Sequence, residues 1–192
     1  MILRTILMTL TAFQFLGPID TAIAGEVQKF AIGYLEITDD PRYEEKRAYA
    51  RIRVKPHNRP LAGAELAMGD SRIPGRALKM KFELLRAEAA NAEELTAHLK
   101  RMKKALGVRF FLVDADLEIL GAVSKATLGM DIRLFNISDH SDRLRRSGCQ
   151  RHLMHSIPSH AMLTDALSQF LIFKKWRKVL LLEGSEPDDI KF

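Results

Sequence analysis

The stretch Asn91–Asp116, NAEELTAHLKRMKKALGVRFFLVDAD, decides the fold class. Asn91 can accept hydrogen bonds from the free amides of a first helical turn, and Glu94 stands three residues on, where it can reach back. Leu95, Leu99, Met102 and Leu106 recur at i, i+4, i+7 and i+11, which places them on one stripe of an amphipathic helix. Gly107 ends that helix, because glycine adopts the left-handed closing conformation at little cost. Val108–Val113 (VRFFLV) follows at once and has the apolar character of a strand buried on both faces. Asp116 is placed to cap a further helix, Leu117–Leu128, which Gly129 ends. A helix feeding a buried strand that feeds a second helix is the repeating unit of a parallel sheet.

The alternation extends in both directions. Upstream, Lys29–Ile37 (KFAIGYLEI) is a β-rich run closed by the turn signal Thr38-Asp39-Asp40-Pro41. Arg42–Pro60 is charged and reads as a long surface excursion. Leu61–Ser71 has weak helical periodicity and is stopped by Pro74-Gly75, and Lys79–Arg86 is a second strand. Downstream, Asp131–Ile137 (DIRLFNI) and His152–Ile157 are strands. Ser159 caps a helix on which Leu163, Leu167 and Leu171 share a face, and Lys178–Leu182 (KVLLL) reads as a last strand. The fold class expected is α/β, a doubly wound parallel sheet with helices on both faces.

The first two dozen residues read as an address rather than as fold. Arg4 is a short positive region, Thr5–Leu16 is uncharged and mostly apolar, and Ala22-Ile23-Ala24 offers small residues to a signal peptidase. The apolar run is shorter than the roughly 20 residues that a bilayer span needs. A Sec signal peptide over residues 1–24 is therefore expected, with a periplasmic product and no membrane span after cleavage. Cleavage removes one Arg and one Asp and leaves the formal charge at +6. That basic balance is dispersed among 24 acidic residues, so it describes a solvated surface rather than a nucleic-acid stripe. Cys149 is the only cysteine, which excludes an internal disulfide framework.

Ligands in open parallel sheets lie beyond the carboxyl ends of the strands. Those ends carry Glu36, Thr38 and Asp39; then Asp114, Ala115 and Asp116; then Asn136, Ser138, Asp139 and His140. Asp, Asn and Ser at such turns also serve as caps and turn formers, so each has a purely structural reading as well. The strand-Asp114-x-Asp116 pattern offers a rival: a magnesium-dependent phosphatase of the haloacid-dehalogenase type, with one carboxylate as nucleophile and the other as acid or base. Glu118 stands where that pattern wants Thr or Val, two strands precede the motif, and no later acidic pair for the metal is evident. Cys149, His152, His155 and His160 are the residue types that hold zinc. Their spacings of three, three and five do not make a compact finger, and packing or hydrogen bonding accounts for them. No Ser-His-Asp order, phosphate-cradling glycine loop or CxxC pair is present.

Three stretches carry a family resemblance: Ile32–Ile52 (IGYLEITDDPRYEEKRAYARI), Leu134–Arg145 (LFNISDHSDRLR) and His155–Gly184 (HSIPSHAMLTDALSQFLIFKKWRKVLLLEG). Together with the signal peptide they resemble the type I periplasmic solute-binding proteins of ABC transporters. The branched-chain amino-acid-binding type is nearest, in the subgroup associated with PQQ-dependent alcohol dehydrogenase systems. The resemblance implies a non-enzymatic protein without a cofactor, a two-lobed clamshell that closes on a small solute. Its implied partners are that solute, an ABC permease and a periplasmic PQQ-dependent dehydrogenase system. It implies a first lobe over residues 25–156 and the start of a second over 157–192. Such proteins are about twice this length, so a truncated second lobe, or a product without function, is expected. Asp114, Asp116, Asn136 and Ser138 are the candidates for lining the first lobe's half of the cleft. Amino-acid binders of this type grip the α-carboxylate and ammonium with Ser and Thr hydroxyls. Asp114 and Asp116 would repel a carboxylate, so that specificity is not carried over.

Overall fold

The computed structural model of the chain describes residues 27–44, 46–47, 53–54 and 59–182. The expected signal peptide, residues 1–24, lies outside them. Five parallel strands make the main sheet: β1 (Gln28–Ile37), β4 (Met80–Ala89), β5 (Phe110–Asp114), β6 (Arg133–Asn136) and β7 (Leu153–His155). Their spatial order is β4-β1-β5-β6-β7. The chain therefore winds outward one way from β1 to β4 and then the other way through β5, β6 and β7. The reversal opens a crevice between the carboxyl ends of β1 and β5. Two short antiparallel strands, β2 (Lys46–Arg47) and β3 (Arg53–Val54), stand apart in the β1–β4 connection.

Side chains alternate across each strand, so one face collects Leu35, Ile37, Phe111, Val113, Leu134, Ala87 and Ala89. Helices α3 (Ala92–Leu106) and α4 (Leu117–Ala126) cover it with Leu95, Leu99, Leu120 and Val123, all fully buried. Burying each such side chain stabilises the fold by about 1.5–3 kcal/mol. Gly33 makes the packing possible, because a methyl group on it would come within 2.3 Å of the Phe111 ring. The opposite face carries Phe30, Phe82 and Phe110, whose rings touch at 5.4–5.6 Å between centroids and stay half-buried. There α1 (Leu61–Asp70) and α2 (Arg72–Leu78) close over the start of β4. Gly75 lies so near that a Cβ would sit 2.7 Å from the Met80 carbonyl oxygen.

The helix ends follow the local rules. Asn91 accepts a 3.0 Å hydrogen bond from the Glu94 amide, and the Glu94 carboxylate takes the Ala90 amide at 3.0 Å. Gly107 closes α3 in the left-handed conformation at φ 68°. Asp116 caps α4 through the Ile119 amide at 2.8 Å, and Ser159 caps α5 (His160–Phe173) through the Met162 amide at 3.3 Å.

Four expectations change. Pro74-Gly75 does not stop a helix; Pro74 falls in the first turn of α2, where its missing N–H costs no intrahelical bond. Leu106, at the end of the α3 stripe, stays exposed. β5 is sealed on one face only, since Phe110 and Leu112 on the other keep some exposure. Lys178–Leu182 forms no strand and leaves Leu180, Leu181 and Leu182 exposed. Helix α5 likewise buries none of its residues, and Leu167, Phe170 and Phe173 face solvent. Among the described residues, no helix is long and apolar enough to cross a membrane.

Candidate ligand-binding site

The site grows from the last residues of β1. Glu36 points to the face opposite the α3–α4 core, is fully buried, and pairs with Asp114 across the sheet register. Such a carboxylate needs partners, because a lone buried charge is prohibitively costly. Arg59 supplies one, donating from Nη1 to Glu36 Oε2 at 2.9 Å and to the Ile37 carbonyl at 2.9 Å. Arg86 of β4 supplies another through its Nε.

Beyond β1 the chain turns sharply. Asp39 takes φ 51°, a conformation that Asp tolerates better than most residues, and Asp40 caps a single 3-10 turn over Pro41–Tyr43. Asp40 Oδ1 accepts from the Arg42 amide at 2.9 Å, and its carboxylate holds the Arg42 guanidinium at 2.6–3.0 Å. That turn throws Arg42 and Tyr43 back over the end of β5. Arg42 Nη2 reaches Asp114 Oδ1 at 3.0 Å, the Tyr43 hydroxyl donates to the same oxygen at 2.7 Å, and Arg42 Nη1 reaches Ser138 Oγ at 3.1 Å. The Tyr43 ring lies under both guanidiniums, 5.3 Å from Arg42 and 4.8 Å from Arg59, within cation–π range.

The electrostatics follow from burial and pairing. Burial pushes the Asp40 carboxyl up, but the Arg42 hydrogen bonds and charge outweigh it and leave the group below the usual carboxylate range. Burial alone would lower Arg42; Asp40 and Asp114 reverse that and hold it firmly cationic. Tyr34 and Tyr43 are raised well above an ordinary phenol, first by burial and then by the neighbouring carboxylates. Two buried polar atoms at this edge, Asp114 Oδ2 and the Tyr34 hydroxyl, make no hydrogen bond among the described residues.

The four residues singled out from the sequence fare differently. Asp114 is the buried centre of the cluster, and Ser138 joins it through Arg42. Asn136 is also buried, but its amide is spent on the loop. Its oxygen accepts from the Ser138 and Asp139 amides at 3.2 and 2.9 Å, and its nitrogen donates to the Asp139 carbonyl at 2.6 Å. Asp116 is exposed and caps α4. Arg42, Tyr43, Arg59 and Arg86 carry no such expectation from the sequence. The turn at Thr38–Asp40 is the one local signal that points to the first two. Arg59 lies 23 positions from the carboxylate it serves and has none.

The rival chemistries gain nothing from this geometry. Asp114 Oδ1, the nucleophile in the phosphatase reading, is occupied by Arg42 and Tyr43, and Asp116 is turned to α4. Cys149 is exposed, His152 meets Thr127 Oγ1 at 3.1 Å, and His155 meets Asn136 at 3.0 Å. No group of three metal-ligating side chains assembles among the described residues. A cavity of about 660 Å³ lies elsewhere, lined by Met68, Gly75 and Lys79 near the start of β4.

No protein-family profile and no curated protein sequence matches the chain. Solved structures do. An ABC transporter substrate-binding protein from Desulfitobacterium hafniense bound to leucine aligns with a TM-score of 0.56 and 16% identity, over 77% of this chain and 39% of its own. A second structure of an ABC transporter substrate-binding protein from that organism gives 0.53 and 16% over the same shares. A branched-chain amino acid transporter substrate-binding protein from Streptococcus pneumoniae, in complex with isoleucine, gives 0.50 and 14%, over 69% of this chain and 34% of its own. The chain thus spans about two-fifths of the length of the first two. These neighbours are type I periplasmic binding proteins, and the chain has the α/β fold of their first lobe.

Proposed function

We propose that the chain is the first-lobe part of a solute-binding component of an ABC-type importer, working in the periplasm without catalysing a reaction. The observation that carries this reading is the polar cluster at the reversal between β1 and β5. Glu36, Asp114, Arg42, Tyr43 and Arg59 converge there, where open parallel sheets hold ligands. The fold shared with substrate-binding proteins supports it. Residues 25–156 form the lobe in this reading, residues 157–192 lead toward a second one, and residues 1–24 direct export. Of the four residues expected from the sequence, Ser138 lies at the binding surface and Asp114 supports it from beneath by holding Arg42 and Tyr43. Asn136 shapes the loop and Asp116 the helix beside it.

The finer assignment rests on the sequence resemblance alone: a partner permease, and a solute drawn from a PQQ-dependent alcohol oxidation system. Calorimetric titration of the full chain with short alcohols, aldehydes, carboxylic acids and amino acids tests the reading. Saturable binding of at least one solute, weakened by Asp114→Asn, is expected. A panel that produces no saturable heat with a well-folded protein overturns it.

A further inference from the structure

Within the cluster of Glu36, Asp40 and Asp114 the charges are sorted by depth. Glu36, Asp114 and Asp40 are 0, 0 and 5% exposed, whereas Arg42, Arg59 and Arg86 keep 29, 26 and 47%. Each of these buried carboxylates therefore lies beneath a guanidinium, and a solute that reaches this cluster meets its positive charge first. This reverses the repulsion that Asp114 suggests when it is read from sequence alone.

Arg59 is the group with capacity to spare. Its hydrogen bonds among the described residues all leave from Nη1, to Glu36 and the Ile37 carbonyl, so Nε and Nη2 remain uncommitted. The guanidinium is nonetheless held in place, anchored below by Glu36 and stacked on the Tyr43 ring. Arg42 is different. Its Nε and both terminal nitrogens already serve Asp40, Asp114 and Ser138, so it offers mainly its charge. The Nε–Nη2 edge of an arginine is a planar fork that matches the two oxygens of a carboxylate.

Resting on the solute-binding reading above, we infer that the solute is a small organic carboxylate, gripped by the Nε–Nη2 edge of Arg59 beside the charge of Arg42. An alkylammonium of the same shape meets two guanidiniums whose own carboxylate partners are buried. Asp114 Oδ1 is already taken, and Asp114 Oδ2 lies buried beneath the arginine layer.

The test compares three probes on one carbon skeleton: isovalerate, 3-methylbutylamine and 3-methylbutanol, titrated into the 15N-labelled full chain and followed by NMR. Isovalerate is expected to shift the Arg59 Nε–H resonance saturably, and to bind several-fold more weakly when NaCl is raised, because the contact is partly exposed. The amine and the alcohol should leave that resonance unmoved. Arg59→Lys keeps a cation against Glu36 and preserves the fold, as a dispersed spectrum would show, but loses the fork; it should weaken isovalerate at least tenfold. If the amine or the alcohol binds there and isovalerate does not, or if Arg59→Lys leaves isovalerate binding intact, the inference falls while the solute-binding reading stands. If isovalerate fails but the wider solute panel yields a ligand, a carboxylate supports the inference and any other class overturns it. If no solute of any class binds, both fall together.

Discussion

Three buried carboxylates at one sheet edge oblige the surrounding residues to compensate, and Arg42 and Tyr43 do so for Asp114. Truncating Arg42 to Ala leaves Asp40 and Asp114 without their shared cation. The expected loss is roughly 3–5 kcal/mol, toward the lower end because the site edge admits water, and urea unfolding measures it. Tyr43→Phe removes one hydrogen bond to a buried oxygen, and its cost should be smaller, about 1–3 kcal/mol by the same method. The histidines set a pH dependence. Burial is the first cause that holds His152 and His155 below the ordinary imidazole value, which leaves them more easily neutral when folded. The unfolded chain therefore binds more protons as pH falls below about 6.5, and stability drops in that direction until the folded imidazoles titrate too. A thermal midpoint lower at pH 5.5 than at pH 7.5, with the difference reduced in His152→Gln, is the expected result. A midpoint that rises on acidification would contradict it.

Local chemistry and close packing divide the work among the elements. The α3 cap is a local device: Asn91→Ala should cost about 1 kcal/mol, read from the denaturation midpoint, because Glu94 loses its amide acceptor. Gly33 is a packing device. Gly33→Ala forces a methyl into the Phe111 ring and should cost about 1–3 kcal/mol, more than the glycine-to-alanine gain in chain stiffness returns. The local signal at Asn91 is legible in sequence because cap and amide are three residues apart. The demand on Gly33 is not, because Phe111 stands on another strand.

Across the whole molecule, burial is uneven. The α3–α4 face is sealed, the Phe30–Phe82–Phe110 face is half-covered, and α5 buries nothing among the described residues. Leu167→Gln combined with Phe170→Gln should therefore change the unfolding free energy by no more than about 0.5 kcal/mol, whereas Leu99→Ala, inside the sealed face, should cost about 2–5 kcal/mol. Comparative denaturation of the two variants checks the contrast. Apolar periodicity alone does not separate these helices: Leu163, Leu167 and Leu171 are as regular as Leu95 and Leu99. Which stripe is core depends on what packs against it.

By itself the sequence determined the parallel α/β class, the caps at Asn91, Asp116 and Ser159, and the strand ends where polar residues gather. These are set by periodicity and by contacts within one turn, which a linear chain displays. Tertiary structure alone decided that Asn136 is buried against His155. It also decided that Arg42 turns back onto Asp114 and that Arg59 comes from the far side of a connection to cover Glu36. The sign of charge that this edge presents depends on which member of each ion pair lies deeper. Depth is a property of the folded surface, not of any position along the chain.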